Sequence, residues 1–326
     1  MRRLTGDPKT ARRLTRVNEE VKVCTAGPNV LVTRRKPDDL RVQPEGDHRV
    51  RGWSHVVRGA PAEEGRAVTA LIGTSGWHYS DWRGRFYPDE VRQNDWLRFY
   101  AGRFQTVELN NAFYRLPERT AFQAWAEQVP DDFLIAVKAS RYLTHVRRLK
   151  DPGEPVARLM AAARGLGHKL GPVLLQLPPS LHCDNEALAR ALGQFPKGVR
   201  VAVETRHDSW HGDRTREVLE AHGAAWVCVD PGGRRRPRWR TADWGYVRFH
   251  RGAGQPEPCY TRSPLQTWAK RIAATWDGGE DVLCYFNNDT HGCAPRDARR
   301  FAVAVSRVGL RPSRVPNPRE TPVAAD

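Results

Sequence analysis

The sequence predicts an α/β protein, a TIM-type (β/α)8 barrel in which helix six is replaced by a basic loop. Three observations carry this prediction. Eight short apolar runs recur between Leu71 and Asn287: LIGTS, TVELN, LIAVK, VLLQL, VAVET, WVCVD, YVRFH and VLCYF. Helical patterns alternate with them, the mark of βαβ units and a parallel sheet. Their spacing, roughly 30 residues per repeat, suits an eight-fold barrel of roughly 250 residues.

Side chains alternate faces along a strand. Val201 and Val203 therefore share one face, while Ala202, Glu204 and then Arg206 share the other. The same parity separates Val107 and Leu109 from Glu108 and Asn110, and Ile135 and Val137 from Lys138. It sets Val173 and Leu175 apart from Gln176, Val227 and Val229 from Asp230, and Val247 and Phe249 from Arg248 and His250. The apolar face is expected against the helices. The polar tips are expected to converge at the carboxyl end of the barrel, where such folds keep their active sites.

Along the chain, residues 1–67 carry 15 Lys and Arg and 9 Asp and Glu, with no sustained period. Dense charge without apolar pattern predicts a disordered basic extension, with a nucleic-acid-gripping arm as the sharper alternative. The barrel is expected over 68–310. Helices are expected at Asp95–Arg103, Arg119–Gln128, Glu154–Leu166, Asn185–Leu192, Thr215–His222, Leu265–Thr275 and Pro295–Val305. Between Asp230 and Trp244 the stretch PGGRRRPRWRTAD is too short and too rich in Gly and Pro for a crossover helix. It reads as a basic loop over the carboxyl side. The tail, 311–326, reads as disordered.

The six cysteines are scattered, with no CxxC pair, which points to reduced thiols and a cytoplasmic protein. MRRLTGDPKTARRLTRV has no apolar core for a secretory signal, and no run approaches a membrane span, so no membrane partner is expected. The net charge of +16 invites a nucleic-acid reading. However, 45 of the 53 basic residues are arginines, a bias that reflects base composition as readily as a ligand. Such charge bears on steering and association, not on fold.

The candidate site collects Glu108, Asn110, Lys138, Gln176, Glu204, Arg206, Asp230, Arg248, His250 and Asn287. Buried charges are too costly to leave unpaired, so a salt-bridge network is expected here whether or not the site is catalytic. Glu108 and Glu204 first suggest paired carboxylates, yet strands four and seven, the usual source in glycosidases of this fold, end in Gln176 and in Arg248 and His250. Glu108, Glu204, Asp230 and His250, with His207 in reserve, are metal-ligand types. Lys138, Arg206 and Arg248 in the same layer repel a cation, so a divalent metal is not favoured and the cofactor stays unknown.

Anion binding fits better. The loops RFHRG (Arg248 to Gly252) and FNNDTHG (Phe286 to Gly292) follow strands seven and eight, where barrels often hold phosphate. Arg141, His145, Arg147, Arg148 and Arg234–Arg240 would add positive potential. Trp77, Tyr79, Trp82, Phe86 and Tyr87 cluster after strand one, as a packed plug or as a base-stacking platform interleaved with Arg83 and Arg85. Asn111 and Asn288 also suit turns.

The motifs GTSGWHYSDWRGRFYP, TVELNNAFYRLP, QLPPS, AVETRHDSW, YVRFH and YFNND, in this order, resemble the YecE-like family, domain of unknown function 72. The resemblance runs from about Leu71 to Val305 and implies a TIM-type barrel, with no established reaction. Carried over by position, the family's recurrent polar residues fall on Glu108, Asn110, Tyr114, Lys138, His145, Gln176, Glu204, Arg206, Arg248, Asn287, Asn288 and Asp289. The chain departs at Thr205, where an aromatic is usual, and at Asp297, where asparagine is.

The leading expectation is an enzyme of hydrolase or transferase type acting on an anionic, phosphate-bearing substrate, a small molecule or nucleic acid. Glu108, Lys138, Glu204 and His250 would do the chemistry. Arg206, Arg248 and Arg251 would hold the anion, with Asn110, Tyr114, His145, Gln176, Asn287, Asn288 and Asp289 lining the site. The alternative is a non-catalytic nucleic-acid or partner-binding barrel, and the third a metal-dependent hydrolase or sugar isomerase.

Overall fold

The computed structural model describes residues 68–230 and 236–317. The expected extension over 1–67, the middle of the basic loop and the end of the tail lie outside the described residues. Eight parallel strands close a barrel: β1 (Thr69–Ser75), β2 (Thr106–Leu109), β3 (Leu134–Lys138), β4 (Leu170–Gln176), β5 (Val201–Glu204), β6 (Ala225–Asp230), β7 (Gly245–Phe249) and β8 (Asp281–Phe286). Each pairs with the next, and β8 returns to β1.

Helices cover the outside: α1 (Trp96–Ala101), α2 (Asn111–Tyr114), α3 (Arg119–Gln128), α4 (Gly153–Ala163), α5 (Asn185–Leu192), α6 (Asp213–Ala221), α7 (Arg262–Thr275) and α8 (Cys293–Ser306). Their boundaries follow local chemistry. Helix α5 starts where the Asp184 carboxylate accepts the Ala187 N–H at 2.8 Å, satisfying one of the orphan donors of the first turn. It buries Ala187, Leu188, Ala191 and Leu192, one face at helical spacing.

The core has two shells. Ile72, Val107, Val137, Val173, Val203, Val247 and Phe286 face the helices. Leu71, Ala136, Leu174, Ala202, Ala225, Val227, Tyr246, Leu283 and Tyr285 fill the barrel itself. Small inner residues on β3, β5 and β6 accommodate the tyrosines and Arg248 projecting from β7 and β8. Gly73 lets β1 approach β2, because a Cβ there would lie 2.3 Å from the Thr106 carbonyl oxygen.

Three expectations need correction. The basic loop contains no helix among the described residues, and its described course from Pro237 on does not lie over the carboxyl end. It descends the outside of the barrel: Trp226 Nε1 donates to the Pro237 carbonyl at 3.0 Å, the Trp226 N–H to Thr241 Oγ1 at 2.8 Å, and Arg240 pairs with Glu280 just before β8. With no helix to cover Trp226, the loop supplies the cover, including Trp239 at a ring separation of 4.8 Å.

The tail is not disordered from residue 311. A ninth strand, β9 (Arg311–Pro312), pairs with Thr69 and Ala70. Strands β1 and β2 pair only at Thr74 and Ser75, so the lower edge of β1 would otherwise keep bare backbone groups. The tail satisfies them: the Ser313 N–H donates to the Ala70 carbonyl, and Ser313 Oγ accepts the Ile72 N–H at 2.9 Å. Third, the thiols are not all reduced. Cys259 and Cys293 form a disulfide between the loop after β7 and the first residue of α8, while Cys183, Cys228 and Cys284 are free. No helix among the described residues is long and apolar enough to cross a membrane.

Candidate functional site

Strand parity brings Glu108, Gln176, Glu204, Arg206, Arg248 and His250 together at the carboxyl end of the barrel, joined by side-chain contacts. Asn110, Lys138 and Asn287 line the cleft beside them. Asp230 does not join them. On β6 the inner face is apolar, Val229 standing level with Arg248, and Asp230 points outward to accept the Trp268 Nε1–H at 2.7 Å. Its strand carries apolar residues on both faces, so alternation alone did not fix which face turns inward.

At the centre, Arg248 bridges two carboxylates. Its Nη2 donates to Glu108 Oε1 at 2.7 Å and its Nη1 to Glu204 Oε2 at 2.5 Å. All three are buried, Arg248 keeping only 1% of its surface. Glu108 Oε2 accepts the Tyr246 hydroxyl at 2.7 Å, and Glu204 Oε1 accepts Arg206 Nε at 3.0 Å. Burial opposes the charge on Glu204, but Arg248, His250 and Arg206 outweigh it and hold the carboxyl well below its usual range. Burial likewise opposes the guanidinium of Arg248, and Glu108 and Glu204 reverse that, raising it above its ordinary value. This is a closed electrostatic unit.

Beside it opens a cleft of about 380 Å³, lined by Trp77, Tyr79, Asn110, Tyr114, Lys138 and Asn287 among others. That volume suits a small ligand. Lys138 reaches it without an ion pair: its Nζ lies 4.1 Å from the centroid of the Phe113 ring. Burial first, and Arg248 next, outweigh the help of Glu108 and Glu204 and bring this amine down to about 8. His145 packs edge-on against the same Phe113 ring at 5.0 Å, with Thr144 Oγ1 at 2.9 Å from its Nδ1. Burial and the charges of Lys138, Arg141 and Arg206 lower it below its ordinary value, so it is neutral at pH 7.

Arg206 is anchored at Nε by Glu204 and at Nη2 by Gln176 Oε1, at 3.0 and 3.3 Å, and keeps 39% of its side chain exposed. His250 receives the Asn287 amide on Nδ1 at 3.1 Å. That assigns the proton of the neutral ring to Nε2, 3.6 Å from Glu204 Oε1. Ser75 Oγ, Asn110 Oδ1, His250 Nε2 and Arg248 Nε are buried with no hydrogen-bond partner among the described residues. Buried polar atoms are seldom left so, which marks a place for water or ligand. Tyr114, 82% exposed on α2, stands at the rim.

Other expected residues serve elsewhere. Asn288 turns away to donate to Asp297 Oδ2 at 2.8 Å and to the Pro258 carbonyl at 3.1 Å. The Asp289 carbonyl accepts Trp82 Nε1–H at 2.8 Å. Asp297 also accepts the Tyr260 N–H at 2.7 Å, so the space expected for phosphate between the loops after β7 and β8 is taken by the protein's own carboxylate. Arg251 pairs with Glu257, Arg147 with Asp151, and Arg148 with the Ser180 carbonyl. The aromatics after β1 form a packed cap, Tyr87 stacking on Trp96 at 4.5 Å, with Trp77 and Tyr79 on the cleft wall. Among the described residues no three His, Cys, Asp or Glu side chains converge to hold a metal.

Sequence reasoning missed Ser75 and Tyr246. Tyr246 shares the parity of Arg248 and His250 and was legible on that ground. Ser75 stands level with Glu108 across β1 and β2, which only the register reveals.

The chain is similar to several known proteins. UPF0759 protein YunF of Bacillus subtilis (strain 168) is 24% identical over 277 residues, spanning 71% of this chain and 92% of YunF. A DUF72 family protein of Thermotoga maritima MSB8 matches with a TM-score of 0.65 and 28% identity, over 73% of this chain and 99% of that one. One from Enterococcus faecalis V583 has a TM-score of 0.62 at 18% identity, over 73% and 96%, and speaks to fold alone. The family model described as protein of unknown function DUF72 matches residues 71–321, and the chain belongs to that family.

Proposed function

We propose that this barrel is an enzyme of hydrolase or transferase type that takes an anionic, phosphate-bearing substrate in the cleft beside Lys138. The observation that supports this is an uncompensated charge. Glu108 and Glu204 are both engaged by Arg248, and Glu204 also by Arg206. Lys138 has no carboxylate partner within salt-bridge distance among the described residues, and Arg206 keeps an exposed edge. A low-dielectric cleft with surplus positive charge suits phosphate oxygens.

Arg206 and Lys138 then hold the anion, rather than the buried Arg248. His145, neutral at pH 7, is the better-placed base, because Glu204 is too well stabilised as an anion to accept a proton readily. Asn110 and Asn287 orient the neutral part of the substrate.

The test is a thermal-shift screen of inorganic phosphate, phosphorylated metabolites and oligonucleotides, with and without divalent metal. A ligand at 100 times its Kd stabilises by about 2.7 kcal/mol. Phosphate-bearing compounds should raise the melting temperature, and Arg206→Ala should abolish the shift while the protein still melts cooperatively. Melting shifted by neutral sugars or by metal alone, and by no anion, would refute the reading.

A further inference from the structure

We infer that Lys138 is a nucleophile whose Nζ condenses with the carbonyl carbon of a phosphate-bearing aldehyde or ketone, an assignment that rests on the anionic-substrate reading and deepens its transfer arm. The geometry isolates this amine. Of the described lysines, Lys169 donates to the Ala126 and Val129 carbonyls, both at 2.8 Å, and is thereby fixed in place. Lys150, Lys197 and Lys270 are exposed. Lys138 alone among them lines the cleft, held by an aromatic ring that supports its position without taking its protons.

A carboxylate partner would lock the ammonium, and the two nearest acids are committed to Arg248. A strongly perturbed amine in a cleft is a recurring mark of imine chemistry. With its value near 8, roughly a tenth of the amine is free at pH 7, against less than a thousandth for an ordinary lysine near 10.4. A second observation lies next to the cleft lining: Ser75 Oγ, one residue before Gly76 and level with Glu108, is buried and has no hydrogen-bond partner among the described residues. Its hydroxyl can donate to the oxygen of a bound carbonyl.

The step balances without an oxidant or reductant. The Nζ lone pair forms the C–N bond as the carbonyl π pair moves to oxygen. His145, across the Phe113 ring, carries the proton from nitrogen to that oxygen. The carbinolamine hydroxyl then takes a second proton, relayed from solvent by His145. It leaves as water as the C–O bond breaks and the nitrogen lone pair forms the C=N bond, giving a protonated imine. The imine draws electrons from the adjacent carbon, so a C–H or C–C bond there can break and a carbon fragment can be passed on. Arg206 meanwhile keeps the phosphate at the rim.

The full-length protein should be incubated with glyceraldehyde 3-phosphate or dihydroxyacetone phosphate, and in parallel with glyceraldehyde or dihydroxyacetone. Borohydride then reduces any imine, and peptide mass mapping locates it. The expected result is a reduced adduct at Lys138 at least tenfold above Lys150, Lys197 and Lys270, stronger with the phosphorylated pair. Lys138→Arg should remove that adduct while the protein still melts cooperatively.

A second measurement is independent of substrate choice. Competitive acetylation across pH should give Lys138 a midpoint near 8, set by burial and by the groups facing it: Arg248 on β7, Glu108 on β2, Glu204 and Arg206 at the end of β5, and His145 after β3. Lys138 reacting no faster than the three surface lysines in both measurements overturns the proposal. If inorganic phosphate still shifts melting in that case, the anion reading survives and only the imine falls. An adduct formed equally with the unphosphorylated pair overturns the phosphate requirement, and with it the anion reading.

Discussion

Arg248 and Lys138 are both cations on the inner face of the barrel near its carboxyl end, and their surroundings drive them in opposite directions. Arg248 lies between two carboxylates at hydrogen-bonding distance and is held charged. Lys138 has a ring beneath it and no acid partner within salt-bridge distance among the described residues, and burial moves it toward neutrality. Desolvation acts on both. What differs is whether the fold supplies a counter-charge. A buried ion with its partner in place is scaffold, and one denied a partner is held at an energetic cost, which is the pattern functional sites show. On the proposed reading the barrel has a structural centre at Arg248 and a chemical flank at Lys138.

The comparison breaks most readily at its structural side. Replacing Arg248 with Met leaves Glu108 buried without a cation and Glu204 with Arg206 alone. The expected loss is about 3–5 kcal/mol in urea or guanidinium unfolding. A loss below about 1 kcal/mol would mean that the two acids re-pair or take up protons cheaply, and Arg248 would no longer count as the scaffold cation.

A smaller effect sharpens the same side through pH. The Glu204 carboxyl is held well below its usual value in the folded protein, while the unfolded chain titrates near pH 4.3. The folded state thus binds fewer protons in that region. Its contribution is complete above about pH 4.3 and is lost as pH falls from there through the folded value. Glu204→Gln should lower stability at pH 7 by roughly 1–3 kcal/mol and flatten the decline between pH 5 and pH 3. An unchanged acid limb in the variant would place the titration elsewhere.

Much of this contrast was legible in the sequence, for reasons of periodicity. VAVETR and YVRFH alternate cleanly, so Glu204, Arg206, Arg248 and His250 fell on the inner face by counting in twos. WVCVD has no polar phase to count from, and Asp230 was placed on the wrong side. Counting also cannot distinguish a paired charge from an unpaired one. Arg248 and Lys138 both end a polar tip, and only the register and rotamers assign both carboxylates to the arginine.

Long-range closures were beyond reach for a different reason. The tail seals β1 through backbone groups and the hydroxyl of Ser313, which leave no hydrophobic pattern. The Cys259–Cys293 pairing depends on how the loop after β7 folds back on α8. The basic loop was recognised by its Gly and Pro content, but its course is set by Trp226, an apolar side chain left without a helix to cover it.

The mildest test falls on the chemical side. Lys138→Met swaps an unpaired, half-buried ammonium for an apolar chain of similar length against the same Phe113 ring. No hydrogen bond is lost, so stability at pH 7 should be unchanged within about 0.5 kcal/mol or should rise by about 1 kcal/mol. The pH dependence gives the sharper sign. The folded value near 8 lies below the roughly 10.4 of the unfolded chain. Between them the unfolded state binds more protons, so this residue makes stability climb as pH rises through that window, its penalty being fully present below about pH 8. Lys138→Met should remove the climb, seen as the difference between variant and parent denaturation midpoints at pH 7.5 and pH 10. A variant that loses 2 kcal/mol or more at pH 7, with the climb intact, would show Lys138 to be a second Arg248, a paired cation of the scaffold, and the division between centre and flank would disappear.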